Sequence, residues 1–521
     1  MSESHIFKST IRRAVLLIPA VICLAGVAPS TATASSGGGP DFAAIDSYVS
    51  RSLAGTPGFA LSIVHGDQVV HAKGFGVADP NGSPVTADTP FALGSESKSF
   101  TALGIMQLKD EGLVELDAAV QHYLPWFQVA NPDYSRQITI RQLLNQTSGL
   151  PDSFPADTPV TSVESRVRNL AGVQLLAPPG RAFNYSNSNY NTLGLVIEAV
   201  SGRAYADYMQ QDVFSPLGMA DSYASEAWAK SNGLGAAHEW WFGLPVPYDN
   251  FRSDLIPSAY VVSSAADMAH YLIAQLNGGR YAGNQLVSAS GIAEMHHGAN
   301  DGGGPGTYGM GWWNSAINGV AVVYHPGDSQ TGHTDMILVP SAGWGVELIA
   351  DASSLTTNLL PSVDSAAKGV ISMLMGAAPP FTPSPVNLYV VFDLIALALV
   401  GFQLWSLTRV LRTRPQPMPT GMFWILRHLV LPLAWRLVVA VAVVGIVVVF
   451  ASGQLGASPL LVGETDAGSF IYLIGALLVA NGGLRAVRAL AAVRSQHSAV
   501  PAVVRASVHE ATSERDVSRL T

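Results

Sequence analysis

The hydrophobic pattern changes period along the chain, and the changes outline a fold. Residues 59–65 and 68–75 read as two β-strands, and Gly66-Asp67 between them suits a two-residue hairpin turn. Three further β-type runs, 319–325, 333–339 and 343–350, lie much later. The intervening stretch is mostly helical in period, broken by Gly/Pro loops, and helices are predicted at 42–52, 190–200 and 363–375. Strands at both ends and helices between predict an α/β (α+β) unit over residues 41–377. One antiparallel sheet, assembled from both ends of the chain, is flanked by helices and carries a helical subdomain. A cleft is expected between the sheet and the helical part.

Beyond this unit the pattern becomes continuously apolar. Runs at 388–408, 431–452 and 467–485 each approach the ~20 residues needed to cross a bilayer. The composition agrees: 48% of residues are hydrophobic and only 12% charged, with a mean hydropathy of +0.28. Arg409, Arg412, Arg414 and Arg427 separate the first two runs, and Arg485, Arg488 and Arg494 follow the third. The positive-inside rule places these arginines and the tail 486–521 in the cytoplasm, and the 41–377 unit on the opposite side. The N-terminus points the same way. Lys8, Arg12 and Arg13 precede an apolar stretch at 14–27 and a small-residue Ala32-Thr33-Ala34 site, so residues 1–34 read as a signal peptide. A Pro-rich linker, 378–387, joins the unit to the first span and reads as a stiff spacer. The expectation is a multi-pass membrane protein with an extracytoplasmic domain and the lipid bilayer as partner. The oligomeric state is left open.

Charge and cysteine usage narrow the chemistry. The net charge of −9 and the lack of a basic block in the 41–377 unit exclude a nucleic-acid-binding reading. Cys23, the single cysteine, lies inside the leader, so disulfides, thiolate zinc sites and a cysteine nucleophile are excluded from the rest. His71, His238, His296 and His297 show no metal-ligand spacing, and no metal or cofactor is implied. One stretch breaks a stability rule. In Phe91-Ala-Leu-Gly-Ser-Glu-Ser-Lys-Ser-Phe a buried-type helix opens at Gly94-Ser95 and places Lys98 in its first turn. A capping box prefers Glu or Gln there, and the positive end of the helix dipole disfavours a cation.

Three short motifs occur in order: Ser95-Glu96-Ser97-Lys98, Tyr185-Ser186-Asn187 and His325-Pro326-Gly327. Each has a decoy. Ser365-x-x-Lys368 lies inside the closing helix, Tyr248-x-Asn250 in a loop, and His296-His297-Gly298 at a helix end. By contrast, Ser95 opens a helix, Tyr185 stands at a helix entrance, and His325 ends a β-branched run. With "ITIRQLLNQTSGLP" from Ile138, "PPGRAFNYSNSNYNTLG" from Pro178, "FSPLGM" from Phe214, "YGMGW" from Tyr308 and "HPGDSQTGHTDMILVP" from His325, the chain resembles the serine beta-lactamase and penicillin-binding-protein superfamily. The likeness is to its branch of class C beta-lactamases, D-alanyl-D-alanine carboxypeptidases, D-aminopeptidases and esterases, over about residues 42–375.

The resemblance implies a serine hydrolase. Ser95 is the nucleophile, Lys98 its base with a pKa lowered by burial, and Tyr185 a proton carrier to the leaving group. Asn187 bonds substrate or Lys98, and His325 lines the third side, where many relatives carry a lysine. Gly327 admits the substrate to the strand, and the backbone N–H of Asp328 joins that of Ser95 as an oxyanion donor. His325 in place of lysine implies a weaker grip on a substrate carboxylate. Asn145-Gln146 stands where many relatives have Ser-His. Expected substrates are D-amino-acid peptides, including peptidoglycan-derived ones, small esters or beta-lactams. The alternative is a penicillin-binding sensor or non-hydrolytic binder that signals through the membrane helices.

Overall fold

The computed structural model describes residues 39–152, 159–241, 243–302, 306–329, 332–353 and 362–413, and helical residues at 431, 434 and 435 and within 469–491. Helix α1 (Phe42–Ser52) is capped by the Asp41 side chain, which accepts from Ala44 N at 3.0 Å, and buries Ile45, Tyr48 and Val49. Strands β1 (Gly58–His65) and β2 (Gln68–Gly76) form the expected hairpin, with His65 opposite Gln68. Helices α2 (Ser97–Asp110), α3 (Asn187–Ser201) and α4 (Ala265–Leu276) follow, with a small hairpin of β3 (His238–Trp241) and β4 (Leu244–Pro247) between α3 and α4. The chain then returns to the sheet. β5 (Asn300–Asp301), β6 (Thr307–Tyr308), β7 (Trp313–Ile317), β8 (Val320–Ser329), β9 (Gly332–Val339) and β10 (Trp344–Ala350) complete eight strands in the order β2-β1-β10-β9-β8-β7-β6-β5. The pairings are antiparallel throughout. β11 (Ala352–Ser353) leaves the sheet and runs parallel to β3. Helices α5 (Ser362–Leu374) and α6 (Pro385–Arg412) end the described main body.

The sheet is buried on both faces. On one side α1 and α5 pack Ile45, Val49, Val363, Ala366 and Val370 against Leu61, Ile63, Ile337 and Leu348. The other side faces α4 and the helical part through Ala60, Val64, Met336, Leu338 and Ile349. This explains the continuous burial of β9 at every position, as a central strand between two layers requires.

Two expectations on the sheet need correction. Five strands were expected and eight are present, because Asn314 and Ser315 weaken the β-type pattern of β7 and β5 and β6 are only two residues long. His325 does not end its strand: β8 runs on to Ser329 through Pro326. A proline is tolerated there because β7 pairs with β8 only as far as Tyr324, leaving that edge without a partner strand.

Among the described residues one helix, α6, is long and apolar enough to cross a membrane. It starts earlier than expected. Pro385 is already helical and Ser384 caps it, so the linker is shorter than 378–387. The linker is docked as well: the Tyr48 hydroxyl lies 3.0 Å from Thr382 Oγ1 and donates to the Pro380 carbonyl at 3.3 Å. The leader, most of the second apolar run and the tail beyond 491 lie outside the described residues. Part of the third run is helical and meets α6, with Asn481 Nδ2 donating to the Gln403 carbonyl at 3.3 Å.

Candidate active site

Ser95 does not cap its helix by a side-chain bond. It sits in a 3-10 turn, Gly94–Glu96, that feeds directly into α2. Ser97 ties this turn down: its hydroxyl donates to the Gly94 carbonyl at 2.7 Å and accepts from Val261 N at 2.9 Å. Ser95 is partly exposed while its neighbours are buried, as a reactive hydroxyl on a fixed backbone must be. Positions 97–108 of α2 are buried on every side rather than on one face, so Lys98 lies wholly inside.

The buried ammonium has three partners. Lys98 Nζ donates to Ser95 Oγ at 3.0 Å, to Asn187 Oδ1 at 2.7 Å and to the Ser258 carbonyl at 2.8 Å. Burial drives its pKa down to about 7, opposed by the negative charge of Asp152. Asn187 is the first residue of α3 and Ser186 its cap. This turn presents Tyr185, whose ring centroid is 4.7 Å from Lys98 Nζ. Burial holds the Tyr185 phenol well above its usual pKa, so it is a neutral donor. The expected group of Ser95, Lys98, Tyr185 and Asn187 is therefore one connected cluster.

Strand β8 forms the opposite wall, and two glycines allow it to come close. Gly94 has φ +54°, and a Cβ there would fall 2.4 Å from Asp328 N. A Cβ on Gly327 would fall 2.0 Å from the Leu93 carbonyl oxygen. Only hydrogen fits at either position, so the Asp328 amide lies against the Ser95 turn. His325 is 1% exposed. Its Nδ1 donates to the Pro326 carbonyl at 2.8 Å, which leaves Nε2 as an acceptor 3.5 Å from the Tyr308 hydroxyl. Burial and the nearby Lys98 push its pKa down to about 3, so the third wall is neutral. Tyr308 and Trp313 extend this wall. Trp313 stacks on Tyr185 at 6.4 Å and meets Tyr308 edge-on at 4.8 Å, whereas Trp312 is buried in the core.

Several supporting residues were not singled out from the sequence as functional. Asp152 Oδ1 accepts from Asn187 N at 2.6 Å and Gln146 Oε1 accepts from Ser186 N at 3.0 Å, so together they hold the Tyr185 turn. Gln146 itself has φ +59°. The Ser258 contact is a backbone carbonyl, which no side-chain motif reveals. Beneath the Ser95 turn, Glu96, Asp335 and Glu347 are fully buried. Burial raises their pKa values, that of Glu347 to about 8, and neighbouring carboxylates add to the rise for Glu96 and Asp335. Neither the carboxyl of Glu96 nor that of Glu347 has a hydrogen-bond partner among the described residues. Asp328 accepts from Ser353 Oγ at 3.0 Å, and its carboxyl is raised to about 6, chiefly by burial.

The decoys are accounted for elsewhere. The Ser365 carbonyl contacts Tyr48, Lys368 lies 5.5 Å from the Tyr324 ring, and His296 Nε2 lies 2.9 Å from Gln275 Oε1. His71 pairs with Asp46 at 2.8 Å.

A serine bonded to a buried, partly neutral lysine, between a mixed sheet-and-helix core and a glycine-lined strand, defines an acyl-transfer type of site. The Beta-lactamase family model matches residues 45–357, and the chain belongs to that family of serine hydrolases and penicillin-binding proteins. It is 30% identical over 348 residues to "Penicillin-binding protein 4" of Amycolatopsis lactamdurans, covering 64% of this chain and 91% of that protein. It is also 30% identical over 305 residues to "Protein flp" of Staphylococcus aureus (strain COL), where the match takes in 57% of this chain and 60% of the relative's length. Among solved structures it resembles the octameric penicillin-binding protein homologue from Pyrococcus abyssi. That match has a TM-score of 0.56 and 26% identity, covering 66% and 79% of the two chains. EstCE1, a hydrolase with promiscuous acyltransferase activity, shares the fold at TM-score 0.54 and 22% identity, covering 63% and 99%.

Proposed function

We propose that this protein is a membrane-held, extracytoplasmic serine hydrolase that acylates Ser95 and then hydrolyses the acyl-enzyme. The observation that carries the reading is the contact of Lys98 Nζ with Ser95 Oγ at 3.0 Å, made by an amine whose pKa has fallen to about 7. Three acceptors surround that nitrogen. The ammonium donates to all of them. The free amine keeps two protons for Asn187 and Ser258 and turns its lone pair to the Ser95 hydroxyl. Ser95 then attacks the carbonyl carbon, its proton passes to Lys98, and the Ser95 and Asp328 amides receive the oxyanion. Tyr185 hands a proton to the departing group and is itself reprotonated from Lys98. Water repeats the sequence to release the acid.

The wall chemistry supports a substrate preference. His325 is neutral, and Tyr185, Tyr308 and Trp313 add no charge. Uncharged esters and amides suit this surface better than beta-lactams or D-amino-acid peptides that present a carboxylate. Support for the membrane reading comes from α6, whose last turn carries Arg409 and Arg412 at the end away from the domain. One observation favours the sensor alternative: β11 links the two regions, pairing with β3 beside α6 and bonding Asp328 through Ser353. Full-length protein in detergent, given a chromogenic ester and a penicillin, separates the readings. Repeated turnover lost in Ser95→Ala supports the hydrolase. A single long-lived adduct on Ser95 supports the sensor, and turnover retained in Ser95→Ala rejects both.

A further inference from the structure

The β3–β4 hairpin stands apart from the sheet and from the site. Its register pairs His238 with Pro247 and Trp241 with Leu244, so the tip spans positions 241–244. From Trp240 to Tyr248 the sequence is Trp-Trp-Phe-Gly-Leu-Pro-Val-Pro-Tyr, without a charge. Trp240 is buried, stacked on Tyr389 of α6 at 5.7 Å. Leu244 and Val246 are instead 66% and 43% exposed. At the end of β3 the half-buried Trp241 donates its indole N–H to Glu239 Oε2 at 3.3 Å, and apolar side chains projecting from the uncharged tip beyond it call for a partner.

The position of α6 says what that partner is. A Cβ on Gly243 at the tip would lie 3.2 Å from Tyr389 Cβ and 4.0 Å from Asp393 Oδ2. Tyr389 and Asp393 lie four and eight residues beyond the helix start at Pro385, or about 6 and 12 Å along its axis. The tip therefore descends beside the second and third turns of the candidate span. At that level the other faces of α6 are apolar and bare: Val390, Val391, Leu394 and Ile395 are each more than half exposed. If those side chains enter lipid, the tip beside them stands at the boundary between headgroups and acyl chains. Tryptophan and leucine without charge suit that depth. Phe381, 85% exposed in the docked linker just before α6, adds a second apolar contact at the same end of the helix. Asp393, an awkward residue for a span, then lies beside the hairpin tip near the interface rather than deep in hydrocarbon.

We infer that the β3–β4 hairpin tip is a second membrane contact, inserting Trp241 and Leu244 into the outer phospholipid interface beside α6. The inference rests on α6 being a membrane span. Domain and bilayer are then joined at two points, so the domain cannot swing freely about its linker. The parallel pairing of β3 with β11, and the Ser353–Asp328 bond, connect this contact to the wall of the site.

The test uses the full chain with Cys23→Ser, reconstituted in phosphatidylcholine/phosphatidylglycerol nanodiscs. Single cysteines at Leu244→Cys, Leu397→Cys and Val69→Cys carry an environment-sensitive nitrobenzoxadiazole label. All three native residues are exposed, so the substitutions leave the core intact. The expected result is a blue-shifted Leu244→Cys label quenched by lipids spin-labelled near the headgroup. The Leu397→Cys label should respond to deep quenchers, and the Val69→Cys label to neither. A water-exposed label at position 244 with a lipid-buried label at 397 overturns the hairpin contact and leaves the span standing. Water exposure at both positions overturns both readings. A blue shift at 244 without lipid quenching also overturns the inference, because protein rather than lipid then covers the tip.

Discussion

Lowering the pH should switch acylation off with a midpoint near 7, because Lys98 loses its lone pair there. An ordinary lysine, with a pKa of about 10.4, is neutral in well under a thousandth of molecules at pH 7. Burial brings Lys98 to about 7 and so makes about half of the molecules competent at that pH. The competent fraction falls to about a tenth at pH 6 and a hundredth at pH 5, at one decade per unit. The same burial has a stability cost. The folded pKa lies below the unfolded one, so between about 7 and 10.5 the unfolded chain holds a proton that the folded chain lacks. This group's contribution to unfolding free energy thus rises with pH across that window. Below it the full penalty remains, on the order of 5 kcal/mol at 1.36 kcal/mol per unit. The assay is the single-turnover acylation rate with a chromogenic ester between about pH 5 and pH 9, where a slope of one is expected on the acid limb. Asp328 and Glu347, with pKa values of about 6 and 8, bracket the same range, so Asp328→Asn and Glu347→Gln serve as controls that should leave the limb in place. Asp152→Asn is the diagnostic variant. It removes the charge that opposes the fall of Lys98 and should move the limb to lower pH. A flat profile through pH 7, or a limb that ignores Asp152→Asn, would refute the lysine-base reasoning.

Other outcomes follow from the packing. Gly94→Ala places a methyl group 2.4 Å from Asp328 N at a positive φ, so a loss of about 2 kcal/mol or more is expected by chemical denaturation, with acylation reduced over tenfold. Glu347→Gln replaces a carboxyl whose folded pKa is raised to about 8. The wild-type contribution is fully present below the unfolded value of 4.5 and is lost as pH rises through 8, so the variant should gain melting temperature over wild type at pH 9 but not at pH 5. His325→Lys puts a cation on the third wall and should raise penicillin acylation relative to that by a neutral ester by about tenfold, the effect of one charge-assisted bond. An unchanged ratio would show that carboxylate recognition lies elsewhere.

What the sequence determined by itself was whatever depends on neighbours in the chain. The 58–76 hairpin is legible because alternation and a two-residue turn are local. The entrance of α3 is legible in part: the pattern places Tyr185 just before a helix expected from 190, and the helix begins three residues earlier, at Asn187, behind a Ser186 cap. The ordered motifs around Ser95, Tyr185 and His325 also stand in the linear text, and the fold brings all three to one site. Tertiary structure decided how these groups behave. Lys98 is a near-neutral amine only because the helical part removes water from it, and desolvation has no signature in a four-residue motif. Its third partner is the Ser258 carbonyl, a backbone group that every residue type carries. Asp152 and Gln146 act by reaching the Tyr185 turn across 35 or more positions of chain. β8 runs past His325 because β7 stops pairing at Tyr324, and where a partner strand stops is a property of the sheet. The place of Trp240 is likewise tertiary, because it is set by Tyr389 of α6, which stacks on it from far along the chain. Local periodicity thus chose the elements. Long-range packing set the charges, because burial and contact distance arise between segments far apart in the chain.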